Sequence, residues 1–148
     1  VSLAERLIES LGLVGILAVE LFLTADGEVL INEIAPRPHN SGHHTIRANA
    51  TSQYEQHLRA ISGLPLGDTQ STCFSGMLNL LGEAEYTGPV KYEGLSDSLA
   101  IQGVYPFLYG KKITKPFRKM GHVTILGDSR EEVEQKAAQV KNLIRVIS

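Results

Sequence analysis

Most side chains able to do chemistry in this chain fall into three groups: two glutamates, a loop rich in histidine, and a loop rich in lysine. Glu20 and Glu33 share the run "ILAVELFLTADGEVLINEIAP", one on each side of Asp26-Gly27. Asp-Gly between two β-rich segments predicts a two-residue type I′ hairpin turn. That turn pairs Ala25 with Glu28. Down the ladder it pairs Thr24 with Val29, Leu23 with Leu30, Phe22 with Ile31 and Leu21 with Asn32. The next pair is Glu20 with Glu33. Residues directly opposite on neighbouring strands have Cβ atoms roughly 4.5–5.5 Å apart, where like charges repel. The apolar flanks add a desolvation penalty. A divalent cation relieves both, since one or two carboxylates completed by phosphate oxygens is the usual ligation of magnesium. The hairpin alone leaves another reading open, in which each glutamate faces solvent or pairs with an arginine. A loop one residue longer would break this register.

The second group follows immediately, in "APRPHNSGHH". Pro36 and Pro38 restrict the backbone on both sides of Arg37 and bias Ala35 and Arg37 to extended geometry. A stiffly held guanidinium loses little entropy when it binds an anion through its planar fork. His39, Asn40 and Ser41 add donors and acceptors, and Gly42 permits a close backbone approach. An ordinary polar turn would use the same residue types. Directly after a candidate metal glutamate, a ligand pocket is the better reading. His39, His43 and His44 lack the spacing of a zinc site.

The third group is "YGKKITKPFRKMGH", residues 109–122, with Lys111, Lys112, Lys115, Arg118 and Lys119. A solvated charged loop is the bland reading. Nucleic acid is disfavoured because only Tyr109 and Phe117 are nearby aromatics. A phosphomonoester fits better, gripped by lysine as a point charge and arginine as a fork.

The elements that must hold these groups are legible in outline. Leu3, Leu7, Ile8 and Leu11 form a helical stripe that Gly12 stops, and Ser2 and Glu5 have capping-box spacing. Ser52 and Glu55 have the same spacing ahead of "SQYEQHLRAISG", a helix ending at Gly63. "LPLGDTQST" reads as a connector. The expected division is therefore residues 1–68 and residues 69–148. In the second part "CFSGMLNLLG", "VYPFLYG" and "GHVTILG" read as strands. Ser129 and Glu132 cap a last helix with the stripe Val133, Ala137, Val140, Ile144 and Ile147.

The 148 residues, 43% hydrophobic, are enough for one medium or two small domains with a real core. The net charge of −2 gives no electrostatic case for nucleic acid or an anionic membrane. No apolar run is long enough to span a bilayer. Cys73 is the one cysteine, which excludes a disulfide framework and fits a reducing, cytoplasmic setting.

The run "GILAVELFLTADGEVLINEIAPRPHNSGHHTI" closely resembles the end of the ATP-grasp domain in the N5-carboxyaminoimidazole ribonucleotide synthetase family. "TSQYEQHLRAISGLPLGDT", "MLNLLG" and "YGKKITKPFRKMGHVTIL" continue the resemblance over nearly the whole chain. It implies an α+β fold: the last part of an ATP-grasp domain, an antiparallel hairpin plus helices, then a small β-rich domain with a terminal helix. It also implies that the chain is the C-terminal part of a longer enzyme of purine biosynthesis. That enzyme uses ATP, Mg2+ and bicarbonate to carboxylate 5-aminoimidazole ribonucleotide.

The resemblance further implies roles. Glu20 and Glu33 hold magnesium, with Asn32 and Glu33 beside the nucleotide. Arg37 stabilises bicarbonate or carboxyphosphate, and His39 binds in the same pocket, moving a proton or only donating a hydrogen bond. Asn40, Ser41 and Gly42 shape that pocket. Lys111 and Arg118 bind the ribonucleotide phosphate, Lys111 being chosen over Lys112 and Lys119 because it matches the family's Y-x-K position. Two loops from two domains would close on one substrate. A homodimer is the expected assembly, with the mutase of the next pathway step a further partner candidate. Many ATP-grasp proteins carry an asparagine ligand two residues after the second glutamate, where this chain has Ala35. That departure disfavours a biotin-carboxylase-like reading. Nothing here resembles the family's upstream ATP-gripping segments, so the chain alone is expected to be inactive. Alternatives are another ATP-grasp ligase and a non-catalytic sugar-phosphate-binding or dimerisation module.

Overall fold

In a computed structural model, residues 2–148 are described. The chain divides into two compact units, one ending at Gln70 and the other spanning Ser71–Ser148. In the first unit, α1 (Ser2–Ser10) ends in a Schellman arrangement. Leu13 N donates to Ile8 O at 3.2 Å and Gly12 N to Glu9 O at 3.0 Å. Gly12, at φ 58°, takes the left-handed position that such an ending needs. Ser2 is already helical, so the expected cap there is not formed. Strands β1 (Ala18–Leu23) and β2 (Val29–Ala35) follow as an antiparallel hairpin. A single 3-10 turn, Asn40–Gly42, leads to the short helix α2 (Thr45–Ala48) and then to α3 (Gln53–Ile61). Ser52 caps α3 as its spacing predicts, its Oγ accepting from Glu55 N at 3.2 Å.

The connector folds back onto this unit. Gln56 donates to Gly67 O at 2.6 Å and accepts from Gly67 N at 3.0 Å. A Cβ on Gly67 would overlap Thr51.

The second unit holds β3 (Phe74–Leu81), β4 (Gly88–Pro89), β5 (Lys91–Glu93), α4 (Leu95–Leu99), β6 (Val104–Leu108), β7 (Ile113–Thr114), β8 (Lys119–Gly127), α5 (Arg130–Leu143) and β9 (Arg145–Ile147). Its main sheet is antiparallel in the order β3-β8-β6. β8 is central, so both its faces are covered and nearly all its residues are buried. Gly76 of β3 lets α5 settle on the sheet, since a Cβ there would meet Val133 Cγ1 at 2.8 Å. Leu80, Val104, Met120, Val123, Ile125, Val133, Val140, Ile144 and Val146 form one core.

The expected helical stripe runs too far. α5 stops at Leu143, and Arg145–Ile147 pairs as β9 with β5. Ile144 and Val146 reach the core from extended backbone, where the side-chain period is two rather than 3.6. The strands β4, β5, β7 and β9 are each two or three residues long, too short to leave a periodic signal. Among the described residues no helix is long and apolar enough to cross a membrane.

Candidate active site

The hairpin brings Glu20 opposite Glu33. It does so by a different route from the two-residue turn. Thr24 and Glu28 close a three-residue loop, with Thr24 N donating to Glu28 O at 2.9 Å and Gly27 N to Thr24 O at 3.1 Å. Gly27, at φ 89°, supplies the left-handed residue that turns this loop back into the ladder. Leu23 therefore faces Val29, Phe22 faces Leu30 and Leu21 faces Ile31, one residue off the expected pairs. A bulge between Glu20 and Leu21 then restores the expected register, leaving Asn32 as the extra residue. The bulge also turns Asn32 toward its neighbour, where Nδ2 reaches Glu20 Oε2 at 3.5 Å.

His39 reaches both carboxylates. Its Nδ1 lies 3.4 Å from Glu20 Oε1 and its Nε2 lies 3.8 Å from Glu33 Oε1. The imidazole is 14% exposed, against 40% for Glu20 and 54% for Glu33. Ser41 Oγ lies 2.9 Å from the same Nδ1. Glu20, Asn32, Glu33, His39 and Ser41 thus form one cluster. Among the described residues no three His, Cys, Asp or Glu side chains are arranged to hold a metal by themselves. Two half-exposed carboxylates on facing strands suit a hard cation that takes its remaining oxygens from phosphate and water.

Three other predicted residues stand differently. Arg37 is exposed and outside the cluster, its Nη1 donating to Pro38 O at 3.1 Å. Its backbone N–H donates to Ala35 O at 2.9 Å. Asn40 opens the 3-10 turn. Gly42 does leave room for a close approach, but the occupant is protein: a Cβ there would overlap the Gln53 side-chain amide.

Gln53 escapes a reading of sequence, because the first residue of a capped helix looks like helix filling. It is 8% exposed. Its Oε1 accepts from His39 N at 2.9 Å and its Nε2 donates to His39 O at 2.9 Å. Nε2 also donates to His43 Nδ1 at 2.9 Å. An amide nitrogen can only donate, so His43 Nδ1 accepts and its ring proton sits on Nε2. Tyr54 OH lies 2.9 Å from the same nitrogen. Burial pushes the Tyr54 pKa up, with a Gln53 side-chain hydrogen bond opposing the shift.

In the second unit the basic loop is partly ordered, containing β7 and the start of β8. Phe117 N donates to Gly82 O at 2.8 Å and Gly82 N to Arg118 O at 2.9 Å. Phe117 sits at φ 60°, uncommon for a residue with a side chain, and directly precedes Arg118. Gly82 is required there, because a Cβ would overlap Lys115 O. Lys111 Nζ donates to Lys119 O at 2.6 Å, and Arg118 Nη1 donates to Ile113 O at 2.8 Å. Lys111 is thereby held at the carbonyl of Arg118's chain neighbour. Among the described residues no carboxylate forms an ion pair with any of the five loop cations. Below the loop, His122 is buried, stacked on Phe107 at 4.7 Å between ring centroids, with Nδ1 3.0 Å from Tyr109 OH.

Residues 1–54 match the ATP-grasp domain family, and residues 75–136 match the phosphoribosylaminoimidazole carboxylase C-terminal domain family. N5-carboxyaminoimidazole ribonucleotide synthase of Aquifex aeolicus is 46% identical over 97% of this chain, which spans 38% of that enzyme's length. The crystal structure of N5-carboxyaminoimidazole ribonucleotide synthetase from Thermotoga maritima is 50% identical with a TM-score of 0.94. That match covers 99% of this chain and 41% of that one. The Aspergillus clavatus N5-carboxyaminoimidazole synthase, solved with ADP and 5-aminoimidazole ribonucleotide, is 36% identical with a TM-score of 0.75. That match covers 86% of this chain and 34% of that one.

Proposed function

We propose that the chain is the C-terminal part of an enzyme of the N5-carboxyaminoimidazole ribonucleotide synthase family, one that carboxylates 5-aminoimidazole ribonucleotide using ATP and bicarbonate. The observation that carries this reading is the convergence of Glu20, Glu33 and His39 on one bulged hairpin. Glu20 and Glu33 hold Mg2+, with Asn32 beside them at the nucleotide. Magnesium, when bound, supplies neutralisation of the charge on the ATP phosphates. Arg37, outside the cluster on a stiff backbone, reaches out to bicarbonate and to the oxyanions of carboxyphosphate.

Bicarbonate attacks the γ-phosphorus of ATP, forming a P–O bond as the bond to ADP breaks and ADP leaves with carboxyphosphate formed. The exocyclic amine of the ribonucleotide then attacks the carboxyl carbon, or carbon dioxide released from carboxyphosphate. A C–N bond forms, inorganic phosphate leaves, and the amine gives up one proton. His39, close to both carboxylates and to Ser41, takes that proton. Asn40, Ser41 and Gly42 shape this pocket. Lys111 and Arg118, which form no ion pair with a carboxylate among the described residues, bind the 5′-phosphate. Residues 1–68 contribute the end of the ATP-grasp domain, and residues 69–148 the ribonucleotide phosphate site. The enzyme is a cytoplasmic homodimer, and the mutase that takes its product is a partner.

The test is phosphate release by the full-length protein with ATP, magnesium and bicarbonate, with and without 5-aminoimidazole ribonucleotide. Strong stimulation by the ribonucleotide, lost in Glu20→Gln and Glu33→Gln, is the expected result. Both variants should stay folded, because each removes one of two like charges facing across the hairpin. No stimulation by the ribonucleotide would overturn the assignment of acceptor.

A further inference from the structure

We propose that Gln53 is a positioning residue, whose side-chain amide fixes the His39 peptide and so aims the imidazole at Glu20 and Glu33. The proposal rests on the role given to His39 above.

The amide engages both backbone groups of His39, as a neighbouring strand would. Its orientation is not arbitrary. His39 N–H can only donate and its carbonyl can only accept, so Oε1 must face the first and Nε2 the second. The second proton on Nε2 goes to His43 Nδ1. Gln53 is held in turn. Its own N–H donates to Thr45 Oγ1 at 2.9 Å, while that hydroxyl donates to Gly42 O at 2.6 Å. The residue is therefore tied to His39, to His43 and, through Thr45, to Gly42. Gly42 is the space in which the amide sits. His39 has extended backbone, φ −117° and ψ 153°. Its carbonyl also accepts from Gly42 N at 3.0 Å, so the Gln53 amide shares that group with the 3-10 turn and holds the His39 N–H through Oε1. A misplacement of about 1 Å in a catalytic group lowers rates on the order of 10²-fold.

The test uses the full-length protein and the variants Gln53→Glu, Gly42→Ala and their combination. Gln53→Glu keeps an acceptor for His39 N–H but has no N–H for the His39 carbonyl or for His43. Gly42→Ala displaces the amide without placing a charge in a buried site. Each should lower kcat on the order of 10²-fold with the KM for ATP unchanged. The pair should be no worse than the stronger single variant, because both break one contact.

In Gly42→Ala, which displaces the acceptor itself, amide exchange at His39 should rise about tenfold or more, while Arg59 and Ala60 in α3 keep their protection. If Gln53→Glu loses protection at Arg59 and Ala60 as well, Gly42→Ala decides by the same criteria. Faster His39 exchange with unchanged kcat would overturn the positioning role and leave the proposed function standing. Unchanged His39 exchange in Gly42→Ala would overturn the clamp itself. A wild-type protein not stimulated by the ribonucleotide would overturn the function and, with it, this role for Gln53.

Discussion

Arg37→Lys separates a catalytic from a structural role for the proline-flanked loop. In the structure the guanidinium is exposed and donates one hydrogen bond, from Nη1 to Pro38 O at 3.1 Å. A hydrogen bond of this kind contributes about 0.5–1.5 kcal/mol, and lysine retains a donor that can reach water or the same carbonyl. The expected loss of stability is therefore below about 1 kcal/mol, a shift in Tm of only a few degrees. The transition state is affected far more. Removing one preorganised donor from a developing oxyanion costs about 2.7–4 kcal/mol, or 10²–10³-fold in kcat. Lysine keeps the charge but loses the second arm of the fork. The assay is ribonucleotide-stimulated phosphate release at saturating substrates in the full-length protein, with the KM for ATP and a thermal melt on the same sample. The expected pattern is a collapse of kcat beside a nearly unchanged melt and ATP KM. Turnover close to wild type would refute the argument and reduce Arg37 to a turn residue resting on Pro38. A large fall in stability parallel to the loss of turnover would refute it too.

Lys111→Ala and Arg118→Ala should each raise the KM for the ribonucleotide by roughly 10- to 100-fold, the worth of one charge-assisted hydrogen bond. The KM for ATP should not move, and a selective rise for ATP in steady-state kinetics would reassign the loop. Glu132 gives a prediction about pH. Hydrogen bonding from Lys136, then from the Asp128 amide, lowers its pKa below the ordinary 4.5. A depressed carboxylate pKa stabilises the fold above the ordinary value, and that contribution disappears as pH falls through the lowered one. Glu132→Gln should therefore be less stable than wild type in melts near pH 7, with the gap closing below about pH 4. A gap that stays constant with pH would show that Lys136 contributes packing rather than charge.

The chemistry of this chain is legible in its order of residues, because the groups concerned are close in sequence. Asp26-Gly27 announces a hairpin, and a hairpin must bring residues on its two arms together. The stiff proline loop, its polar followers and the caps at Ser52 and Ser129 are likewise local. What escaped was set by contacts at longer range. Glu20 meets Glu33 as expected, yet through a three-residue loop and a compensating bulge at Asn32, two departures that cancel. Turn type depends on backbone angles that Asp-Gly permits without dictating.

The stripe in the last helix could not reveal that Arg145–Ile147 is drawn into pairing with β5. Cross-strand hydrogen bonds override helical periodicity there, and they come from residues some fifty positions away. Gln53 is the sharpest case. As one residue it is an unremarkable helix start, and only the return of α3 beneath the loop puts its amide against the His39 peptide. Residue types and local spacing determine which groups can react. Where each group points is decided by tertiary packing, since a side chain is aimed by the partners that satisfy its backbone and fill the space around it.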